Sequence, residues 1–145
     1  MRYGFKAEAE RISAGARALL GIKPGDPIDP WAYASARGIV VLDLAELDLK
    51  DHHRDQLLVK DFESWSGLTL KWEERFFVVV NPVHPLGRQC NTLMHEVAHI
   101  HLGHTPARVD FSSSGMMLLS DYPVDQEDEA DWLAAAMLIP RDELH

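Results

Sequence analysis

Residues 91–102 read NTLMHEVAHIHL, and this stretch sets the organisation of the rest of the chain. It contains the pattern H-E-x-x-H, formed by His95, Glu96 and His99. Residues four apart lie about 40° apart around an α-helix and one turn along it, so the two imidazoles point the same way. Neutral imidazole nitrogens are preferred zinc ligands, together with a third protein ligand and an open fourth position. The stretch therefore predicts a helix that carries two ligands of one metal ion.

Glu96 adds a carboxylate beside the two histidines, within reach of a water bound to the same metal. This arrangement is typical of zinc metalloproteases, in which the glutamate is the general base. The competing interpretation is a polar helix face whose histidines bind nothing. Apolar residues occur on more than one side of this helix, which predicts that it is buried.

Composition limits the classes of protein to which the chain can belong. Its 145 residues, 46% hydrophobic and 26% charged, predict a single globular domain spanning residues 1–145. The net charge of −9, with no basic cluster, argues against direct nucleic-acid binding. A single cysteine, Cys90, excludes an intrachain disulfide and fits a reducing compartment. The N-terminal residues lack a signal-peptide core and no apolar run could span a membrane, so we expect a cytoplasmic protein.

The segments before the motif helix predict two helices and a small sheet. Apolar residues recur at three- and four-residue spacing from Phe5 to Leu20, and Gly21 is a plausible end for that helix. Asp29 followed by Pro30 predicts the start of a short second helix that ends near residues 37–38. The remaining predictions are a strand at 38–44, a loop at 45–55 that includes His52 and His53, a strand at 56–59, and a hairpin with arms 66–70 and 75–80 and its turn at 71–74.

Residues 105–123 show no clear periodicity, and either a mobile flap or a short packed segment fits them. Gly103 is expected to end the motif helix. His101 and His104 would point about 120° and 180° away from His95 if the helix continued, so neither can join the same metal from within it.

The last segment, residues 125–140, predicts a helix ended by Pro140 and offers candidates for the third ligand. Its acidic start could simply complement the helix dipole. Alternatively, Glu127 binds the metal, while Asp131, four residues on along the same face, accepts a hydrogen bond from a ligand histidine. Glu129 is rotated about 200° from Glu127, so only one of these two can face the site. We favour Glu127, with Asp128 as the weaker alternative.

These motifs resemble the ImmA/IrrE family of metallo-endopeptidases. The family pattern T-L-x-H-E-x-x-H corresponds to residues 92–99, and its E-x-x-A-[ND] pattern corresponds to residues 127–131. Further matches are Gly-Leu-Thr-Leu at 67–70, Val-Val-Asn at 79–81, Leu-Gly-His at 102–104 and an Ala-Ala to Leu-Ile-Pro ending at 134–140. A weaker match lies at residues 26–31.

The resemblance implies a zincin-like α+β fold: a small, mostly antiparallel sheet packed against a central H-E-x-x-H helix, with further helices at both ends. It implies His95, His99 and Glu127 as metal ligands and Glu96 as the catalytic base. Zinc is the expected ion, although manganese suits the same ligands. The family is bacterial or carried by phages and mobile elements, and its members cleave Xre-type helix-turn-helix repressors.

Two other functions remain open at the level of sequence. No substrate-binding region is recognisable, so the chain could be a metal-bearing regulatory module that binds a repressor without cutting it. It could also be one component of a toxin–antitoxin pair. The leading hypothesis is nevertheless a zinc-dependent endopeptidase with a protein substrate, no direct nucleic-acid contact and no membrane contact.

Overall fold

The computed structural model describes residues 1–43, 65–111 and 115–139. Within these ranges, four helices accompany a five-stranded sheet, which confirms the predicted α+β class. The predicted loop at 45–55 with His52 and His53, the predicted strand at 56–59 and Pro140 lie outside the described residues. The helices are α1 (Phe5–Leu20), α2 (Pro30–Ala36), α3 (Leu86–His101) and α4 (Val124–Leu138). The strands are β1 (Val40–Val41), β2 (Gly67–Trp72), β3 (Arg75–Val80), β4 (Arg108–Phe111) and β5 (Met117–Ser120).

The first two helices begin and end where their sequence signals predict. Gly21 adopts a left-handed conformation (φ 69°) at the end of α1, which costs little without a side chain. The Asp29 side chain accepts a hydrogen bond from the Trp31 backbone N–H at 2.9 Å, and Pro30 occupies the first turn of α2. Helix α1 packs against α4, so the N-terminal segment lies close to the helix predicted to supply the third ligand.

The sheet has the strand order β1-β3-β2-β5-β4, in which β1 and β3 are parallel and all other neighbours are antiparallel. The predicted mostly antiparallel sheet is therefore confirmed. The predicted turn at 71–74 is too long, because Trp72 pairs with Arg75 and only Glu73 and Glu74 connect the strands. Both adopt positive φ values, 48° and 66°, as a two-residue hairpin turn requires even without the usual Asn-Gly.

Residues 105–123 contain a second hairpin that the sequence did not predict. Strand β4 is exposed along its whole length, and β5 is half-buried at every position. The sequence of β4, Arg-Val-Asp-Phe, alternates over only four residues, and that of β5, Met-Leu-Leu-Ser, does not alternate, so neither gives the longer alternation that marks a strand with one buried face. The hairpin extends the sheet beyond β2, and β4 forms its edge.

Helix α3 lies between the sheet and α4, contacting β2 and β3 on one side and α4 on the other. Leu93, Met94, Val97 and Ala98 are completely buried, which confirms the predicted buried helix. Each such side chain contributes roughly 1–3 kcal/mol through removal of apolar area from water. The packing fixes the rotation of α3, and with it the direction in which the H-E-x-x-H residues point.

Candidate metal centre

Helices α3 and α4 bring His95, His99 and Glu127 together. The Nε2 atoms of the two histidines are 3.1 Å apart. Glu127 approaches from the first turn of α4, with one oxygen 2.5 Å from His99 Nε2 and the other 3.5 Å from His95 Nε2. The structure therefore joins the three side chains predicted as ligands into one cluster, and their ligand atoms all lie within 4.8 Å of one another.

The cluster fits a tetrahedral metal ion. Ligand atoms about 2.0–2.1 Å from zinc are separated from each other by roughly 3.3 Å. The distance of 3.1 Å between the two Nε2 atoms and that of 3.5 Å between His95 and Glu127 are close to this value, whereas the contact between Glu127 and His99 is shorter. The Nδ1 atom of His95 lies 2.8 Å from an oxygen of Asp131 and donates to it. The bare Nε2 of His95 then points into the cluster, toward the Glu127 carboxylate. Lone pairs that converge in this way are stabilised by a cation between them.

Asp131 occupies the position predicted for it, one turn beyond Glu127 on the same face of α4. Asp128, the alternative ligand, is exposed and lies outside the cluster formed by the described residues. Burial, together with the neighbouring His95 and His104, lowers the pKa of His99 to about 3. His99 is therefore neutral at physiological pH, as a metal ligand must be.

Glu96 is half-buried beside the cluster, and a residue of the sheet hydrogen-bonds to its carboxylate. The Thr69 hydroxyl, itself 1% exposed on β2, donates to Glu96 at 2.6 Å. Burial raises the pKa of Glu96 above the usual carboxyl value, while the bond from Thr69 opposes that rise. Gly67 allows the close approach of β2 to α3, because a Cβ there would lie 2.6 Å from Thr92 Cγ2 and 3.4 Å from Glu96 Cγ.

Replacing Thr69 by valine should lower peptide cleavage by about 10–100-fold while leaving the metal bound. The shape is preserved, but the hydroxyl that orients Glu96 is lost. Thr69→Ser is the matched control because it keeps the hydroxyl, and it should retain most of the activity. Steady-state kinetics and metal analysis of both variants check this prediction. Equal activities of Thr69→Val and Thr69→Ser would show that the hydroxyl has no role in positioning Glu96.

Tyr122 forms one wall of the site. Its ring stacks on that of His99, with centroids 3.7 Å apart and planes 10° apart. Burial, with the negative charges of Glu96 and Glu127, raises the pKa of Tyr122 well above its usual value, so the phenol stays protonated and can donate a hydrogen bond. No hydrogen bond joins its hydroxyl to any other residue of the described ranges.

An open cleft of about 340 Å³ gives solvent access to these groups. It lies where β2 and β5 stop pairing, since their last pair on this side is Thr69 with Leu119. Residues from both strands, the motif helix and α4 meet there. The lining residues are Gly67, Leu68, His95, Glu96, Leu118, Leu119, Ser120, Asp121, Tyr122 and Glu127.

His104 lies close to His99, contrary to its predicted position on the far side of the helix. Helix α3 ends before it, and Gly103 (φ 65°) reverses the chain. The His104 N–H then bonds to the His99 carbonyl at 3.1 Å, and that of Gly103 bonds to the Ile100 carbonyl at 3.1 Å. This is a Schellman motif, and it returns residue 104 to the side of the last turn.

The contacts of His104 lead to Glu129 and then to Arg2. His104 Nε2 lies 2.9 Å from a Glu129 oxygen, and Arg2 Nε donates to the other oxygen at 2.8 Å. Burial alone would raise the pKa of Glu129, but the bonds from Arg2 and His104 lower it to about 2. As predicted, Glu127 and Glu129 do not share the cluster.

Sequence comparison assigns the chain to a protein family. The profile of the IrrE N-terminal-like domain family (Peptidase_M78) matches residues 35–145. The chain belongs to this family. Its ImmA/IrrE resemblance is thereby confirmed, and the family supports a metallopeptidase. The cluster of His95, His99 and Glu127 is a site that could hold its metal ion. No curated protein and no solved structure matches the chain.

Within the described part of the chain, no helix is long and apolar enough to cross a membrane. The individual roles of His95, Glu96, His99 and Glu127 remain predictions, although the structure brings these side chains to one site. Sequence reasoning missed Thr69, and the Gly-Leu-Thr-Leu motif was the signal that could have pointed to it. It also missed the link to Arg2, for which the sequence offers no local signal.

Proposed function

We propose that this protein is a zinc-dependent endopeptidase that cleaves an Xre-type helix-turn-helix repressor. The observation that carries the proposal is an open cleft lined both by the Glu96 carboxylate and by two members of the ligand cluster, His95 and Glu127. A site that only stored or sensed a metal ion would have no need of a half-buried carboxylate held beside the ligands. Because such a repressor acts in the cytoplasm, we assign the reaction to that compartment.

His95, His99 and Glu127 would hold the ion, and Asp131 would keep His95 in the tautomer that binds it. A zinc ion there would polarise the carbonyl of the peptide bond and acidify a water molecule. The ligand set also suits manganese, so the preference for zinc rests on the two imidazoles.

Glu96 acts as the base and then as the acid. Its carboxylate takes a proton from the attacking water and passes it to the nitrogen of the leaving amine as the peptide bond breaks. Tyr122, protonated and on the cleft wall, is our candidate donor to the oxygen that gains negative charge.

The unpaired part of β2 and the negative charge of the cleft indicate the kind of substrate that would bind. An extended peptide can pair with β2 at Gly67 and Leu68, where β5 no longer does, and this mode of binding uses backbone hydrogen bonds. Glu127 and Asp121 add negative charge to the cleft, and the chain carries a net charge of −9. DNA-binding domains are basic, so electrostatic steering favours a repressor over an acidic protein.

The test is to incubate zinc-loaded protein with purified Xre-type repressors and to identify fragments by mass spectrometry. We expect one defined cut, which disappears when the metal is removed by a chelator and returns when zinc is restored. An intact repressor that co-purifies equally with wild type and Glu96→Gln, and that wild type never cuts, would contradict the proposal. That result would instead favour the regulatory module.

A further inference from the structure

Four side chains form a continuous hydrogen-bonded line from the N-terminus to the metal cluster. Arg2 donates twice to one oxygen of Glu129, from its Nε at 2.8 Å and from its backbone N–H at 3.1 Å. The other Glu129 oxygen is 2.9 Å from His104 Nε2, and His104 Nδ1 is 2.9 Å from His99 Nδ1. The side chains of Glu129, His104 and His99 are at most 6% exposed, so water does not compete for the bonds that join these three side chains.

The direction of each bond follows from the first one. Glu129, ion-paired with Arg2, carries no proton and can only accept, so the hydrogen between it and His104 belongs to His104 Nε2. In the neutral form of His104 the imidazole has one N–H, which leaves Nδ1 as an acceptor. The hydrogen in the bond between the two histidines must then belong to Nδ1 of His99. The Nε2 atom of His99 is left bare and faces His95 and Glu127.

We infer that His104, oriented by Glu129 and Arg2, is the positioning residue that holds His99 in its metal-binding tautomer. This inference deepens the proposed function and rests on it in one respect, namely that His99 binds the ion. His95 has its own partner in Asp131, so each histidine of the motif receives a proton acceptor from a different source. Partners of this kind fix both the tautomer and the orientation of a ligand imidazole.

The fold explains how residues so distant in sequence meet. The Schellman motif at Gly103 places His104 beside the last turn of α3, and α4 presents Glu129 on the face that α1 covers. Arg2 precedes α1 and lies outside the residues 35–145 that match the family. The N-terminal residues therefore contribute to the metal site without contacting it.

The experiment combines zinc affinity with a direct measurement of the ring protons. In His104→Phe the ring shape remains but both nitrogens are lost, and the zinc dissociation constant should rise about 10–100-fold. In His104→Asn an acceptor stays near the Nδ1 position, so most of the affinity should return. His101→Phe is the matched control, because this half-buried histidine at the same helix end bonds to Tyr33 and not to the cluster, and its affinity should equal that of wild type.

The ring protons are read from imidazole ¹⁵N shifts of metal-free Glu127→Ala, in which no carboxylate competes at His99 Nε2, at a pH where the histidines are neutral. We expect the proton of His99 on Nδ1 and that of His104 on Nε2. Protonation of His99 on Nε2 would overturn the inference, as would unchanged zinc affinity in His104→Phe or an equal loss in His101→Phe. If wild type bound no zinc at all, the proposed function would fail. The positions of the ring protons would still show whether His104 holds His99 with its proton on Nδ1.

Discussion

Replacement of Glu96 by glutamine is expected to abolish detectable cleavage while the metal remains bound. General acid–base groups contribute about 10²–10⁴-fold to rate, and an amide cannot accept the proton from water at neutral pH. The amide keeps the size of the carboxylate and can still accept the hydrogen bond from Thr69, so the packing between β2 and α3 should survive. The measurement is the initial rate of repressor cleavage beside the zinc content of the same sample.

The matched control is Glu73→Gln in the exposed turn between β2 and β3. It makes the same chemical change in a residue far from the cleft lining, and it should cleave like wild type. Cleavage by Glu96→Gln at the wild-type rate would remove Glu96 from the mechanism. Loss of zinc from that variant would show instead that Glu96 supports the metal.

Replacement of Glu127 by alanine is expected to weaken zinc binding by more than the 10–100-fold that outer residues contribute. The change removes the carboxylate that approaches both histidines, and two imidazoles alone do not complete a zinc site. Folding should be nearly unaffected, because the Glu127 side chain is 43% exposed. Calorimetric titration of metal-free protein with zinc checks this prediction.

Asp128→Ala is the control, since this neighbour lies one residue along α4 and points into solvent. It should bind zinc like wild type. Retention of zinc by Glu127→Ala together with loss in Asp128→Ala would reverse our assignment of the third ligand.

Local periodicity predicted the parts of the site that lie on regular helices. The four-residue spacing of His95 and His99 and the equal spacing of Glu127 and Asp131 each place two side chains on one face, and the structure has both pairs so arranged. Burial of α3 was equally predictable, because apolar residues occur on several of its sides.

The remaining features depend on irregular backbone or on distant packing. His104 was assigned to the wrong side because its predicted position assumed a continuing helix, whereas Gly103 ends it and turns the chain back. The contact of Arg2 with Glu129 exists only because α1 packs against α4, which no local pattern encodes. In the hairpin of β4 and β5, only the four residues of β4 alternate between polar and apolar, and neither strand has one buried face, so the pattern was too short to predict the hairpin.

The most direct test of the central claim is the metal content of purified wild-type protein, measured by elemental mass spectrometry after dialysis and after reconstitution with zinc. The account predicts one zinc per chain, held by His95, His99 and Glu127. A wild-type protein that is metal-free as purified and cannot be reconstituted with zinc or manganese would contradict it.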